Sequence, residues 1–171
     1  FRVSFYTQDS QKAEKAAQDT FERIAALNAI FSDWLPDSEL NRLCQTAGTG
    51  QMIRVSPELY EIIVRSVCFS RKSHGAFDIT IGPLTRLWRR SRSLKELPSA
   101  ERIAEARNKL GWKNIQTFPK TRSIRLGKAG MGLDLGGIAQ GWTADVCMDL
   151  LKRSGINSAL VDAGGDIAIG E

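Results

Sequence analysis

The apolar positions change their spacing several times along the chain, and each change marks an element. FRVSFYT, at Phe1 to Thr7, reads as a strand. Asp9 or Ser10 can then cap a long helix, because Ala13, Ala17, Phe21, Ile24, Leu27 and Phe31 recur at steps of three and four and so share one face for burial. Pro36 breaks that pattern, and Asp37 or Ser38 can cap a short second helix carrying Leu40 and Leu43. A turn with Gly48 and Gly50 leads to QMIRV, a strand. Ser56 before Pro57 is a strong helix start, since proline at the first helical position loses no hydrogen bond. Leu59, Ile63, Val64 and Val67 are the expected buried stripe of that helix.

Gly75 is placed to end it in the left-handed conformation, and AFDITIGPL follows as an apolar, irregular run closed by Pro83. From there to about Pro98 the chain reads as a loop. Ser99 caps AERIAEARNKL, which Gly111 ends, and NIQTF and SIRL are strands separated by a PKTR turn. MGLDL reads as a strand entering Gly136-Gly137 and then a helix through Ala144, Val146, Leu150 and Leu151, ending near Gly155. SALVDAGGDIAIG reads as a strand interrupted by Gly164-Gly165. No internal repeat is present. The pattern predicts an α+β fold, helices packed on a mixed sheet, in one domain over residues 1–171.

Composition adds limits. With 42% hydrophobic and 25% charged residues the chain suits a soluble globular protein, and no apolar run approaches a membrane span. The net charge of +5 can attract polyanions. The densest basic run, LWRRSRSLK at Leu87 to Lys95, reads as a solvated linker, with phosphate contact as the alternative; no nucleic-acid fingerprint accompanies it. Cys44, Cys68 and Cys147 lack zinc-binding spacing and are expected to be buried structural thiols.

Several positions carry candidate chemistry. A strand ending in paired glycines that opens a helix, as DLGGIAQG at Asp134 to Gly141 does, presents free amides and a positive dipole end to a phosphate; the alternative is glycine for close packing. Asp134 beside it can accept hydrogen bonds from a ribose or base. Asp78 is the one acid in an apolar stretch, either a ligand contact or a turn-forming side chain bonding its own backbone. Trp34 is a core anchor or a platform for a ligand ring. His74 at a helix end serves the dipole more readily than chemistry. Asp162 and Asp166 flank Gly164-Gly165 and could assist a hard cation such as Mg2+, or merely bound a polar bulge.

The runs SDWLPDSELNRL, GAFDITIGPLTRLW, MGLDLGGIAQGWTAD and ALVDAGGDI together resemble, in order and spacing, the ApbE family of FAD:protein FMN transferases, across nearly all of the chain. The resemblance implies an enzyme that binds FAD with Mg2+, transfers its FMN half to a threonine of a target flavoprotein and releases AMP. It implies that Trp34, Ala76, Phe77, Asp78, Asp134 and Gln140 contact FAD and that Gly137 helps hold magnesium. Gln140 stands where the family usually has Lys, and Cys44 where it often has Asn. The family is about twice as long, so the resemblance implies a portion truncated at both ends, with the acidic and threonine metal ligands beyond Glu171. An FAD hydrolase and a non-catalytic FAD-binding protein are the alternatives. Family members are mostly lipid-anchored outside the cytoplasmic membrane, which implies the periplasmic face, with no nucleic-acid partner.

Overall fold

The structure, a computed structural model, describes all of residues 1–171. Its elements run β1 (Arg2–Phe5), α1 (Ser10–Phe31), α2 (Glu39–Gln45), β2 (Ile53–Arg54), α3 (Pro57–Lys72), α4 (Gly82–Leu94), α5 (Ala100–Arg107), β3 (Ile115–Phe118), β4 (Ser123–Leu126), α6 (Ala139–Arg153), β5 (Ala159–Asp162) and β6 (Ile167–Ile169). The class is α+β. Every strand pairing is antiparallel, and the strands divide into two three-stranded sheets, ordered β1-β5-β6 and β2-β4-β3, rather than forming one mixed sheet. The chain falls into two compact units, one of residues 1–29 with 136–171 and one of residues 30–135. No helix is long and apolar enough to cross a membrane.

In the first unit α1 and α6 bury Ala16, Ala144, Cys147, Met148 and Leu151 with Ile156 and Val161 of the sheet segment. Asp9 starts α1 by accepting from the Lys12 amide at 3.0 Å. The buried row of α1 is offset by one position from the expected one at its start. Ala16 and Thr20 are inside, with Leu27 and Phe31, whereas Phe21 is half-exposed. Thr20 tolerates burial because its hydroxyl donates to the Ala16 carbonyl at 2.7 Å. SALVDAGGDIAIG is a hairpin, not one interrupted strand: Gly164 and Gly165 both adopt positive φ, and the Ala163 amide donates to the Asp166 carbonyl at 2.9 Å, which turns β6 back onto β5.

In the second unit the local signals hold. Ser38, Ser56 and Ser99 each accept from the backbone amide three residues on, capping α2, α3 and α5. NIQTF and SIRL pair as the hairpin β3-β4. The inward face of α3 is Leu59, Ile62, Ile63, Ser66 and Ser70; Val64 is exposed, and the two serines are satisfied by donating to carbonyls four residues back. The stretch expected to loop from Pro83 to Pro98 is mostly α4. Arg and Leu are good helix formers, and Pro83 in the first turn starts the helix without costing it a hydrogen bond. MGLDL is not a strand. Met131, Gly132, Leu133 and Leu135 are buried, but the Leu133 amide donates to Cys44 Sγ at 3.2 Å and the Asp134 amide to the Ile79 carbonyl at 2.8 Å, so no ladder is needed.

Gly82 marks a close approach. A Cβ there would lie 2.6 Å from the Gly132 carbonyl oxygen, so only glycine lets the start of α4 rest on the backbone of the MGLDL run.

Candidate functional site

The strongest constellation within one unit is built around Arg89 of α4. Its guanidinium bonds the carboxylate of Asp33, lies 3.5 Å from a carboxylate oxygen of Asp134, and stacks 4.1 Å from the ring centroid of Trp34. The two aspartate side chains are only 9% and 10% exposed, and Arg89 is 32% exposed. A planar cation is suited to this place because its fork can serve both carboxylates while its flat face lies on an indole.

The loop that carries Asp33 and Trp34 is tied from both sides. Ser32 Oγ accepts from the amides of Trp34 and Leu35, each at 3.2 Å. Asn41 on α2 donates its side-chain amide to the carbonyls of Asp33 at 3.1 Å and Leu35 at 2.8 Å. Trp34 itself is 70% exposed, so it is not a core anchor. Its ring offers apolar area to a ligand from a positioned loop.

Asp78 is fully engaged by its own neighbourhood. One carboxylate oxygen accepts from the Thr80 amide at 2.8 Å and the Thr80 hydroxyl at 2.7 Å, and the other accepts from the Trp112 amide at 3.1 Å. Thr80 Oγ1 in turn accepts from the Gly111 amide at 2.8 Å. Asp78 thus caps the short 3-10 turn Ile79–Ile81 and ties it to the turn before β3. Ala76 is exposed, and Phe77 packs edge-on against Phe69 with centroids 6.3 Å apart. His74 is exposed at the end of α3.

Gly137 and Gln140 belong to the other unit. DLGG does not open its helix directly: Gly136 to Ile138 form a turn, and α6 begins at Ala139 without a side-chain cap. Gln140 Nε2 stands over Gly164, 3.4 Å from where a Cβ would be, and Asp166 lies near Gly141, 3.8 Å by the same measure. Asp162 accepts from the amides of Gly164 and Gly165, both at 3.0 Å, and pairs with Arg2 at 3.3 Å. These backbone bonds, chiefly that of Gly165, hold its carboxyl below the usual range.

Magnesium prefers several oxygen ligands. No group of three or more His, Cys, Asp or Glu side chains is arranged to hold a metal, Asp134 is paired with Arg89, Asp162 with its own turn, and Gly137 offers only main chain. The residues of this chain do not by themselves fit the ion.

The cysteines divide. Cys147 is buried and Cys44 half-buried, but Cys68 is exposed, against expectation, because it sits on the outer face of α3. Burial raises the Cys44 thiol above its ordinary value, opposed by the Leu133 amide and the nearby Arg86 charge. Sequence reasoning missed Asp33, Asn41 and Arg89. The signal lay in SDW beside a helix end and in a basic run set aside as a linker.

A model of the ApbE family matches residues 1–171. A FAD:protein FMN transferase of Treponema pallidum is 30% identical over 172 residues, spanning 97% of this chain and 47% of that protein. One from Klebsiella pneumoniae is 31% identical over 169 residues, covering 96% of this chain and 48% of its own length. The chain therefore spans about half the length of these relatives. Among solved structures, a mutant of the flavin transferase ApbE of Vibrio cholerae superposes with a TM-score of 0.89 at 23% identity, over 98% of this chain and 57% of that one, which establishes the fold.

Proposed function

Because the chain belongs to the ApbE family, we propose that it supplies flavin-binding residues to an enzyme that moves the FMN half of FAD onto a threonine of a target flavoprotein. The observation that carries the reading to particular atoms is the Trp34, Arg89 and Asp134 cluster, an exposed aromatic plane held beside a guanidinium and an acid. In this reading a ring of FAD stacks on Trp34, and Asp134 and the Ala76, Phe77 and Asp78 segment line the same substrate. Asp78 acts by shaping the segment, since its oxygens already hold Thr80 and Trp112. For Gly137 and Gln140, which lie in the glycine turn at the start of α6, the proposed ligand contacts rest on the family likeness alone.

In the proposed transfer, the threonine oxygen attacks the FMN phosphorus as the pyrophosphate P–O bond breaks. AMP leaves with the bonding electrons, and the hydroxyl proton passes to a base. Such a reaction needs positioning and charge neutralisation more than covalent help from the protein. Magnesium dependence is part of the proposal, with carboxylate ligands from outside these residues. So is a lipid-anchored location on the periplasmic face of the membrane.

The test is to incubate the full-length protein with FAD, Mg2+ and an acceptor flavoprotein that another family member flavinylates, and to weigh the acceptor by mass spectrometry. An added FMN moiety on threonine is expected, along with free AMP. An unmodified acceptor refutes transfer: AMP release without acceptor then identifies a hydrolase, and FAD recovered intact a binding protein.

A further inference from the structure

α4 divides its arginines between two places. Arg89 faces Asp33 and Asp134, whereas Arg86 and Arg90, one helical turn apart, line a separate cleft of about 380 Å³ in the second unit with Pro83 and Leu87. Across it stand Arg102, Glu105 and Ala106 of α5, with Lys109 just beyond that helix. Four cations and one carboxylate therefore surround one concavity whose floor is apolar, Pro83 and Ala106 being buried.

These cations repel one another, and the salt bridges of the chain are made by other residues. Two glycines make room for them. At Gly130, where φ is +73°, a Cβ would sit 3.1 Å from Lys109 Cδ, so glycine leaves room for the lysine stem. At Gly132 a side chain would occupy the space now filled by the Arg86 guanidinium. The backbone thus accommodates an excess of positive charge, four cations against the Glu105 carboxylate, around an apolar floor, an arrangement that an anion would complete.

We propose that this cleft binds a phosphate-bearing small molecule of nucleotide size, its phosphates held by Arg86, Arg90, Arg102 and Lys109 and its body resting on Pro83, Leu87 and Ala106. Guanidinium groups match phosphate oxygens in paired hydrogen bonds. The volume falls in the range of small-molecule sites, roughly 300–1,000 Å³. A nucleic acid would need a continuous basic track, which Glu105 interrupts. The proposal is independent of the flavin reading.

Isothermal titration calorimetry of the full-length protein with ADP and with pyrophosphate, in saturating FAD so that a flavin site is filled, tests it. Saturable binding of one ADP is expected, tighter than pyrophosphate, weakening as NaCl rises. Arg90→Ala and Arg102→Ala should each weaken ADP by about tenfold, the loss of a charge-assisted hydrogen bond, with melting temperature and FAD affinity unchanged because both side chains are exposed. Absence of saturable ADP binding overturns the proposal, as does ADP affinity unaltered in the double variant. Binding of duplex DNA or an acidic peptide in place of ADP overturns it equally.

Discussion

Replacing Arg89 by alanine takes a shared guanidinium away from two acids. Asp33 and Asp134, with side chains 9% and 10% exposed, would lose the one guanidinium both of them face. Breaking a buried ion pair by deleting one partner costs about 3–5 kcal/mol, because the remaining charge stays desolvated. Here the cost falls on two carboxylates, but Arg89 is 32% exposed and water screens part of it. A loss of about 3 kcal/mol results, including the stacking energy on Trp34. For a chain of this size that lowers Tm by roughly 6–12 °C. Arg89→Lys keeps the charge but not the fork, and should fall between wild type and alanine. Urea unfolding and thermal melts supply the values, and a double-mutant cycle with Asp134→Asn should return a coupling of about 1 kcal/mol or more. If Arg89→Ala costs less than about 1 kcal/mol, the cluster is an ordinary surface pair and the reasoning fails.

Asp78→Ala removes the acceptor for the Thr80 amide, the Thr80 hydroxyl and the Trp112 amide and should cost about 2–3 kcal/mol by denaturant titration; Asp78→Asn, which keeps one acceptor oxygen, should cost less. Gly82→Ala drives a methyl against the Gly132 carbonyl and should destabilise by about 1–3 kcal/mol, whereas a neutral result would show that α4 shifts freely. Burial pushes the Cys147 thiol from its ordinary 9.0 up to about 11, with Arg23 opposing. Because the folded state holds the proton more tightly, the associated stability is intact below pH 9 and drains away toward pH 11; Cys147→Ala should flatten that part of the melting profile. A chromogenic disulfide reagent should label exposed Cys68 in the native protein and reach Cys147 only after denaturation, so equal rates would contradict the assigned burial.

What could be read without coordinates was local. Ser38, Ser56 and Ser99 cap helices through bonds spanning three residues, and the β3-β4 hairpin closes over four, so their causes lie within one short window. The family too was legible, because four motifs in fixed order carry it. The exposed faces were harder to read. Phe21 and Val64 fit the apolar period, yet the interior took Thr20 and Ser66, whose hydroxyls bond the preceding turn and whose small size permits close packing. Arg89 looked like one arginine of a solvated run. Its role depends on Asp33 and Asp134, at separations of 56 and 45 residues, and a charge pair leaves no periodic trace in a sequence. DLGGIAQG and Asp134 could be marked as candidate ligands from residue type alone. That Asp134 is held by a cation, and that Trp34 lies exposed under the same guanidinium, only the tertiary structure decided, because partner and burial are set by elements that meet after the chain has folded.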